Sequence, residues 1–388
     1  MSMNESTKRE AVIVAYGRSA GCRAKKGSLA NTHPVEYSAQ VLRGVLNRVP
    51  QLKDDQVEDV ILGCAFPEKQ MGYNVARQVA RRAGLPNSVP GQTICRFCSS
   101  GLQAIATAAN AILAGQMDCV VAGGTEAMSY TYTAVHPVEY QDAALSAYDE
   151  GTYMAMGETA ERVADRYHIT REQMDAMAVE SHLKAAKAQK EGKLAPSIIP
   201  VVNAEGVTVT QDEGIRPNSS METLGALKPA FRENGRVTAG TSSQLTDASA
   251  FVILMSSDMA KELRITPLAR FVGFAVAGCE AEVMGLGPIY AVPKVMQKTG
   301  LTIDDMDVIE INEAFASQAL ACIQELNLPK EKINPYGGAM ALGHPMGATA
   351  AILTEKALDY LKDNGGKYAL ITMCIGGGMG AAGVFERL

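Results

Sequence analysis

Three positions in this 388-residue chain combine a reactive side chain with a glycine-rich setting: Cys98, His344 and Cys374. Cys98 closes a short apolar approach, Ile94-Cys95-Arg96-Phe97, and small residues follow it from Gly101 to Gly115. A strand that hands a cysteine to the first turn of a helix leaves it beside unpaired N–H groups and the positive end of the helix dipole, which favour thiolate over thiol. A thiolate so placed is a nucleophile. His344, in Gly343-His344-Pro345, offers an imidazole able to take the thiol proton. Cys374 runs into Gly376-Gly377-Gly378, where the backbone can approach a ligand closely. Two thiols and an imidazole around one substrate suggest a division of labour: one thiol forms a covalent thioester, the other moves a proton. Asn312-Glu313, at the end of an apolar run, can hold a water or an oxyanion partner.

Each residue also has an ordinary reading. A free cysteine most often fills a core, and a lone histidine most often satisfies a hydrogen bond. Cys95-x-x-Cys98 lacks a second cysteine pair at zinc spacing. Gly378-x-Gly380-x-x-Gly383 matches a dinucleotide fingerprint as a string, but no helix, further strand and acidic residue follow before Leu388. No G-x-x-x-x-G-K-[S/T] phosphate loop occurs. His33, His136, His168 and His182 lie in polar surroundings and are expected at the surface. The methionines Met128, Met154, Met156, Met284, Met340 and Met346 are expected as core filler.

The elements that position these residues alternate. Ala11–Tyr16, 57–65, 119–122, 248–255 and 269–276 read as buried strands, and 34–49 and 74–83 as helices. From about Tyr130 the texture becomes polar and Tyr-rich, and a capping box from Thr170 to Gln173 starts a long charged helix reaching about Glu191. The last third then repeats the first. Val308-Ile309-Glu310-Ile311 parallels Val60-Ile61-Leu62-Gly63, and the stretch from Ile371 parallels that from Val120. Cys98 pairs with His344, and Gly101 with Gly347, at one offset. Two halves of one fold related by a pseudo-twofold would bring those corners to a common centre.

Composition narrows the class. With 47% apolar and 20% charged residues the chain can bury a large layered α/β core. A net charge of −6 without a Lys/Arg cluster argues against nucleic acid, and no apolar run reaches the length of a membrane span. Met1 to Glu10 are polar and lack a signal-peptide core, and Phe385-Glu386-Arg387-Leu388 is no retention or peroxisomal signal of the common types. Eight scattered cysteines do not form a disulfide pattern, so a cytoplasmic setting is expected.

Taken together, Cys98-Ser99-Ser100-Gly101-Leu102-Gln103-Ala104, Gly123-Gly124-Thr125-Glu126-Ala127-Met128-Ser129, Asn312-Glu313-Ala314-Phe315-Ala316, Gly337-Gly338-Ala339-x-Ala341-x-Gly343-His344-Pro345 and Cys374-x-Gly376-Gly377-Gly378 resemble the thiolase family over essentially the whole chain. The flavour is that of its degradative 3-ketoacyl-CoA branch. The resemblance implies duplicated βαβαβαββ halves in an αβαβα core: residues 1–127 plus 245–268, and 269–388, with a CoA-binding loop domain inserted at 128–244. It implies thiolytic cleavage of a 3-ketoacyl-CoA, reversible as a Claisen condensation. The alternatives are a biosynthetic acetoacetyl-CoA thiolase and a silent CoA-binding subunit. Cys98 would carry the acyl group, His344 would activate it and help stabilise the enolate oxygen, and Cys374 would be the acid/base. Asn312 would hold a water in one oxyanion hole, with the N–H groups of Cys98 and Gly376 forming the other. Met156, Arg216, Ala239 and Ser243 match CoA-contacting positions, with Ala314 and Phe315 near the pantetheine. No metal or cofactor is expected beyond CoA as substrate. The partners would be acyl-CoA thioesters, a second copy in a homodimer or homotetramer, and a β-oxidation subunit. Cys95, Gly17-Arg18-Ser19 and Ala155 depart from the family's usual residues, and Cys95 puts a second thiol within disulfide reach of Cys98.

Overall fold

The computed structural model describes residues 9–131 and 140–388. Met1–Lys8, read above for a leader, together with His136 and part of the Tyr-rich stretch, lie outside the described residues. The chain runs β1 (Ala11–Arg18), β2 (Cys22–Arg23), α1 (Pro34–Leu46), β3 (Asp59–Gly63), α2 (Val75–Arg82), β4 (Gln92–Ile94), α3 (Ser100–Leu113) and β5 (Cys119–Ala127). The insertion follows: α4 (Ala143–Tyr148), α5 (Met156–Arg166), α6 (Arg171–Lys190), β6 (Val201–Val202), β7 (Thr208–Val209) and α7 (Met221–Gly225). Then come β8 (Thr246–Ser256), α8 (Ser257–Glu262), β9 (Ala269–Gly278), α9 (Gly287–Thr299), β10 (Val308–Ile311) and α10 (Ala316–Glu325). α11 (Ala339–Leu342), α12 (Met346–Asn364), β11 (Tyr368–Ile375) and β12 (Met379–Arg387) complete the chain.

The strands lie in the order β10-β11-β12-β9-β1-β8-β5-β3-β4, with β2 on β8. Outward from the β1/β9 seam the two sides are alike: β1-β8-β5-β3 on one, β9-β12-β11-β10 on the other. The likeness extends to the edges, where the parallel bridge Ile309↔Ile333 takes the place of the β3/β4 pair. The internal repeat in the sequence is therefore a repeat of topology. The seam itself is thin, with only Val12↔Arg270 and Ile13↔Ala269 in register.

Strands buried on both faces need layers on both faces. Along β1, Val12 and Val14 face a core shared with α1 and α2, whereas Ala11 and Ile13 face one shared with α3 and α12. Likewise Ile309 and Ile311 of β10 pack with α9 and α10, whereas Val308 faces the central core. The result is five layers, αβαβα, with α3 and α12 sandwiched in the middle. β5 and β8 pair along their length from Cys119↔Met255 to Ala127↔Asp247, so the chain between them leaves and re-enters the sheet at one place. α6 begins at Thr170 with the capping box the sequence predicts. No described helix is long and apolar enough to cross a membrane.

Candidate active site

The N-terminal ends of both central helices meet at the ends of β3 and β5. Gly347, in the first turn of α12, sits so close that a Cβ on Gly124 would lie 1.9 Å from its carbonyl oxygen, and one on Gly101 would lie 2.8 Å from it. Any side chain at Gly124, in β5, would push the start of α12 off the sheet. This approach brings the corner before α3, with Cys98, next to the corner before α12, with His344.

Cys98 lies in a single 3-10 turn, Phe97–Ser99, immediately ahead of α3. Phe97 turns the chain with a φ of +42°, a left-handed conformation unfavourable for an aromatic residue. The corner is held by Ser100, whose Oγ accepts the Arg96 N–H at 2.8 Å and donates to the Phe97 carbonyl at 2.7 Å. Cys98 is buried, and the N–H groups of Gly376 and of Cys98 itself point at its Sγ. The helix-end reading favours thiolate, but burial outweighs it and pushes the thiol up to about 11. The two N–H groups pull it down; the nearby Glu126 carboxylate and Cys95 thiol push further up. With no cation among the described residues that pull on the sulfur, the resting side chain is a thiol at neutral pH.

His344 is fixed from both sides. Its backbone N–H donates to the Gln244 carbonyl at 3.0 Å and approaches Thr246 Oγ1 at 3.2 Å. Gly343, at φ +92°, makes the turn that allows this. The ring Nδ1 lies 2.7 Å from Thr349 Oγ1, one turn into α12, and Nε2 lies 3.4 Å from Asn312 Nδ2. An amide N–H facing Nε2 makes that nitrogen the acceptor, so Nδ1 carries the proton and donates it to Thr349. Burial drags the imidazole down to about 4, which keeps it neutral.

Asn312 follows β10, its N–H donating to the Thr372 carbonyl at 2.9 Å and its own carbonyl accepting from Gln318 Nε2 at 3.1 Å. Its Oδ1 is buried and has no partner among the described residues, leaving an acceptor open to a water or ligand O–H. Cys374 sits in β11, opposite Gly380, with its thiol pushed well up by burial first and by Cys98 next. The turn after it, with Gly377 and Gly378 at φ +80° and +81°, aims the Gly376 N–H at Cys98. A Cβ on Gly376 would touch Met156 Sδ at 3.5 Å and Phe97 Cδ2 at 4.0 Å.

The expected CoA-contact positions divide. Met156, Ala314, Phe315 and Cys374 share one apolar cluster, Phe315 packs edge-on against Phe231 at 5.9 Å, and the Ser243 N–H donates to the Ala314 carbonyl at 2.9 Å. Arg216 and Ala239 are exposed on the insertion, without a hydrogen bond to Cys98, His344, Asn312 or Cys374 among the described residues. The Arg216 N–H instead donates to His182 Nδ1 at 3.1 Å. His182, expected at the surface, is buried, and its imidazole is held down at about 4. It falls on the stripe Met174, Ala178, Ser181, Ala185, Ala188 that α6 turns inward, a spacing that outweighs its polar sequence neighbours. His33 and His168 are exposed as expected. Cys95 is exposed, its Sγ on the Ala65 carbonyl at 3.3 Å.

Residue-type reasoning passed over two supports, Thr349 and Glu126, and read Glu313 with Asn312 as a holder of a water or an oxyanion partner. Glu313 accepts from Ser181 Oγ at 2.6 Å, Asn334 Nδ2 at 2.9 Å and the Met340 N–H at 3.3 Å, tying Asn312's neighbour to α6 and to the loop before His344. The signal for Thr349 was its place one turn beyond His344. For Glu126 it was a carboxylate inside an otherwise small, apolar strand end. Among the described residues, no three His, Cys, Asp or Glu side chains are grouped to hold a metal ion.

Fold and site together define a duplicated α/β protein with a buried cysteine, a neutral histidine and a second cysteine at the seam of its halves. Residues 11–258 match the family description "Thiolase, N-terminal domain" and 265–387 match "Thiolase, C-terminal domain". The chain belongs to the thiolase family. It is 45% identical over 394 residues to a 3-ketoacyl-CoA thiolase of Bacillus subtilis (strain 168), covering 97% of this chain and 99% of the relative. It is 42% identical to the peroxisomal 3-ketoacyl-CoA thiolase of Homo sapiens, covering 97% and 90%. Its fold superposes on the dimeric peroxisomal thiolase of Saccharomyces cerevisiae with a TM-score of 0.94 at 37% identity, covering 99% of each chain. The acetyl-CoA acetyltransferase of Bacillus anthracis gives 0.91 at 40% identity, covering 98% and 99%.

Proposed function

We propose that this chain cleaves 3-ketoacyl-CoA with CoA, giving acetyl-CoA and an acyl-CoA two carbons shorter. The observation that carries the reading is the convergence of the Cys98 and Gly376 N–H groups on the Cys98 sulfur, from which they can pass to the oxygen of a carbonyl that the sulfur attacks. Full-length relatives named 3-ketoacyl-CoA thiolase support the substrate class.

In this mechanism the long 3.4 Å contact from the Asn312 amide gives way, and the His344 Nε2 lone pair takes the Cys98 proton as the sulfur attacks the C3 carbonyl. A neutral thiol beside a neutral imidazole suits a proton that moves with attack rather than before it. The bond between C2 and C3 breaks, leaving the shortened acyl group on Cys98 as a thioester. The departing acetyl-CoA enolate takes a proton at C2 from Cys374. CoA, deprotonated by Cys374, then attacks the thioester; the acyl-CoA leaves, and the freed Cys98 sulfur takes back its proton from His344. Charge on the acyl oxygen falls to the Cys98 and Gly376 N–H groups; charge on the enolate oxygen falls to His344 and to a water held by Asn312. Met156, Ser243, Ala314 and Phe315 line the approach for the pantetheine, with Arg216 and Ala239 at its outer end. CoA is the only small molecule this chemistry needs.

A homodimer or homotetramer, as in the yeast relative whose structure is dimeric, and a cytoplasmic setting complete the proposal. The similarity to an acetyl-CoA acetyltransferase favours one second reading, acetoacetyl-CoA chemistry with short chains. Rates of CoA-dependent cleavage across 3-ketoacyl-CoA substrates from four to sixteen carbons (roughly the span from one acetyl unit to a long fatty chain) decide between them. Turnover of long chains supports the degradative reading; activity confined to acetoacetyl-CoA supports the second; no cleavage at any length rejects both.

A further inference from the structure

Glu126 lies at the crossing point of the two halves, has no part in the chemistry above, and is fully buried. Its Oε2 accepts the Ala65 N–H at 2.7 Å and the Gly347 N–H at 2.9 Å, and its Oε1 accepts the Phe66 N–H at 3.4 Å and faces Cys64 Sγ at 3.8 Å. Ala65 and Phe66 follow β3 in the first half; Gly347 opens α12 in the second, three residues after His344. One carboxylate thus ties the two halves together where the Gly124–Gly347 contact leaves no slack. We propose that Glu126 is a positioning residue that holds the start of α12 against the end of β3, and so sets the spacing between His344 and Cys98. This deepens the thiolysis reading by naming what aligns its nucleophile and base.

Burial pushes the Glu126 carboxyl up to about 7, and the three N–H donors hold it from going higher. The groups that feel its charge are the thiols of Cys64, Cys95 and Cys98 and the phenol of Tyr37, whose O–H donates to the Glu126 carbonyl at 2.8 Å. Asp247, on the neighbouring strand, raises the same phenol. Ionised Glu126 raises the Cys98 thiol; protonated Glu126 does not.

The test is Glu126→Gln, with Glu126→Asp as companion. Glutamine keeps the shape but turns an NH2 toward an N–H that needs an acceptor, so kcat is expected to fall at least about tenfold with KM within about threefold. Iodoacetamide labelling of Cys98 reads the charge without turnover, so it stands even if the thiolysis reading fails. The ratio of the labelling rate in Glu126→Gln to that in wild type is expected near one at pH 5.5, rising to at least about threefold above pH 8. A change in access alone would give one ratio at every pH. Glu126→Asp keeps the charge and loses the reach, so its kcat falls and its labelling ratio stays flat; it carries the test if the glutamine variant does not fold. A kcat within twofold of wild type in either variant, or a flat ratio for Glu126→Gln, overturns the proposal.

Discussion

Thr349 gives the sharpest perturbation of the proposed base, because it touches His344 on the side away from the reacting atoms. Thr349→Val keeps the volume and branching of the side chain but removes the 2.7 Å partner of Nδ1. Thr349 is 2% exposed, so no bulk water replaces it. The Nδ1–H is left buried and unpaired, or the ring moves its proton to Nε2 and gives up the lone pair that takes the Cys98 proton. An orphaned buried donor costs about 1–3 kcal/mol, and paid at the transition state that is a loss of about fivefold to about 150-fold in kcat. The assay is the initial rate of CoA-dependent cleavage under saturating substrate, with urea unfolding run in parallel to separate stability from rate. Thr349→Ser restores the hydroxyl and is expected to stay within about threefold of wild type. A wild-type kcat for Thr349→Val, or equal losses for valine and serine, would refute the assignment of Nε2 as the base.

Further outcomes follow from the buried groups. Labelling of Cys98 by iodoacetamide is expected to keep rising with pH and not to level off below about pH 10, because burial holds the thiol near 11; a plateau near pH 8 would show a resting thiolate. Lys356 Nζ lies 2.8 Å from Glu310 Oε2 inside the second half and also donates to the Gly337 carbonyl. Lys356→Met strands that carboxylate, which at pH 8 can regain its proton for about 1.4 kcal/mol, so in urea unfolding the variant is expected to lose up to about 1.4 kcal/mol more at pH 8 than at pH 6. Glu310 titrates near 7 in the fold against 4.5 in the unfolded chain, so the folded state holds its proton more tightly. The unfolded value is shared by both proteins, so the deficit of the variant is level below about 7, where Glu310 keeps its proton in either fold, and grows as pH rises above 7; a deficit independent of pH would place the damage elsewhere. Gly124→Ala drives a methyl into the Gly347 carbonyl and is expected to abolish folded protein, measured as soluble yield and the unfolding transition.

Much of the architecture was written in local pattern. Continuous apolar strands called for two-sided layers, and the offset that pairs Cys98 with His344 and Gly101 with Gly347 anticipated the convergence of α3 and α12. Family resemblance supplied roles that residue spacing alone left open, such as the oxyanion contribution of Gly376. What local pattern missed was decided by burial and by contacts across long separations. The thiolate expected for Cys98 gave way because a helix end is weaker than desolvation. Glu126 meets Gly347 across 221 residues, a pairing that no window of sequence displays. His182 was misplaced by its charged neighbours, although the inward stripe of α6 already passed through it.

The central claim is that Cys98 carries the acyl group, and intact-mass analysis tests it most directly. Wild-type protein mixed with a 3-ketoacyl-CoA in the absence of free CoA is expected to gain the mass of the shortened acyl group, mapped by proteolysis to the peptide holding Cys98, and to lose it when CoA is added. Cys98→Ala should gain nothing. An adduct on another residue, an adduct that survives CoA, or acylation of Cys98→Ala would contradict the account.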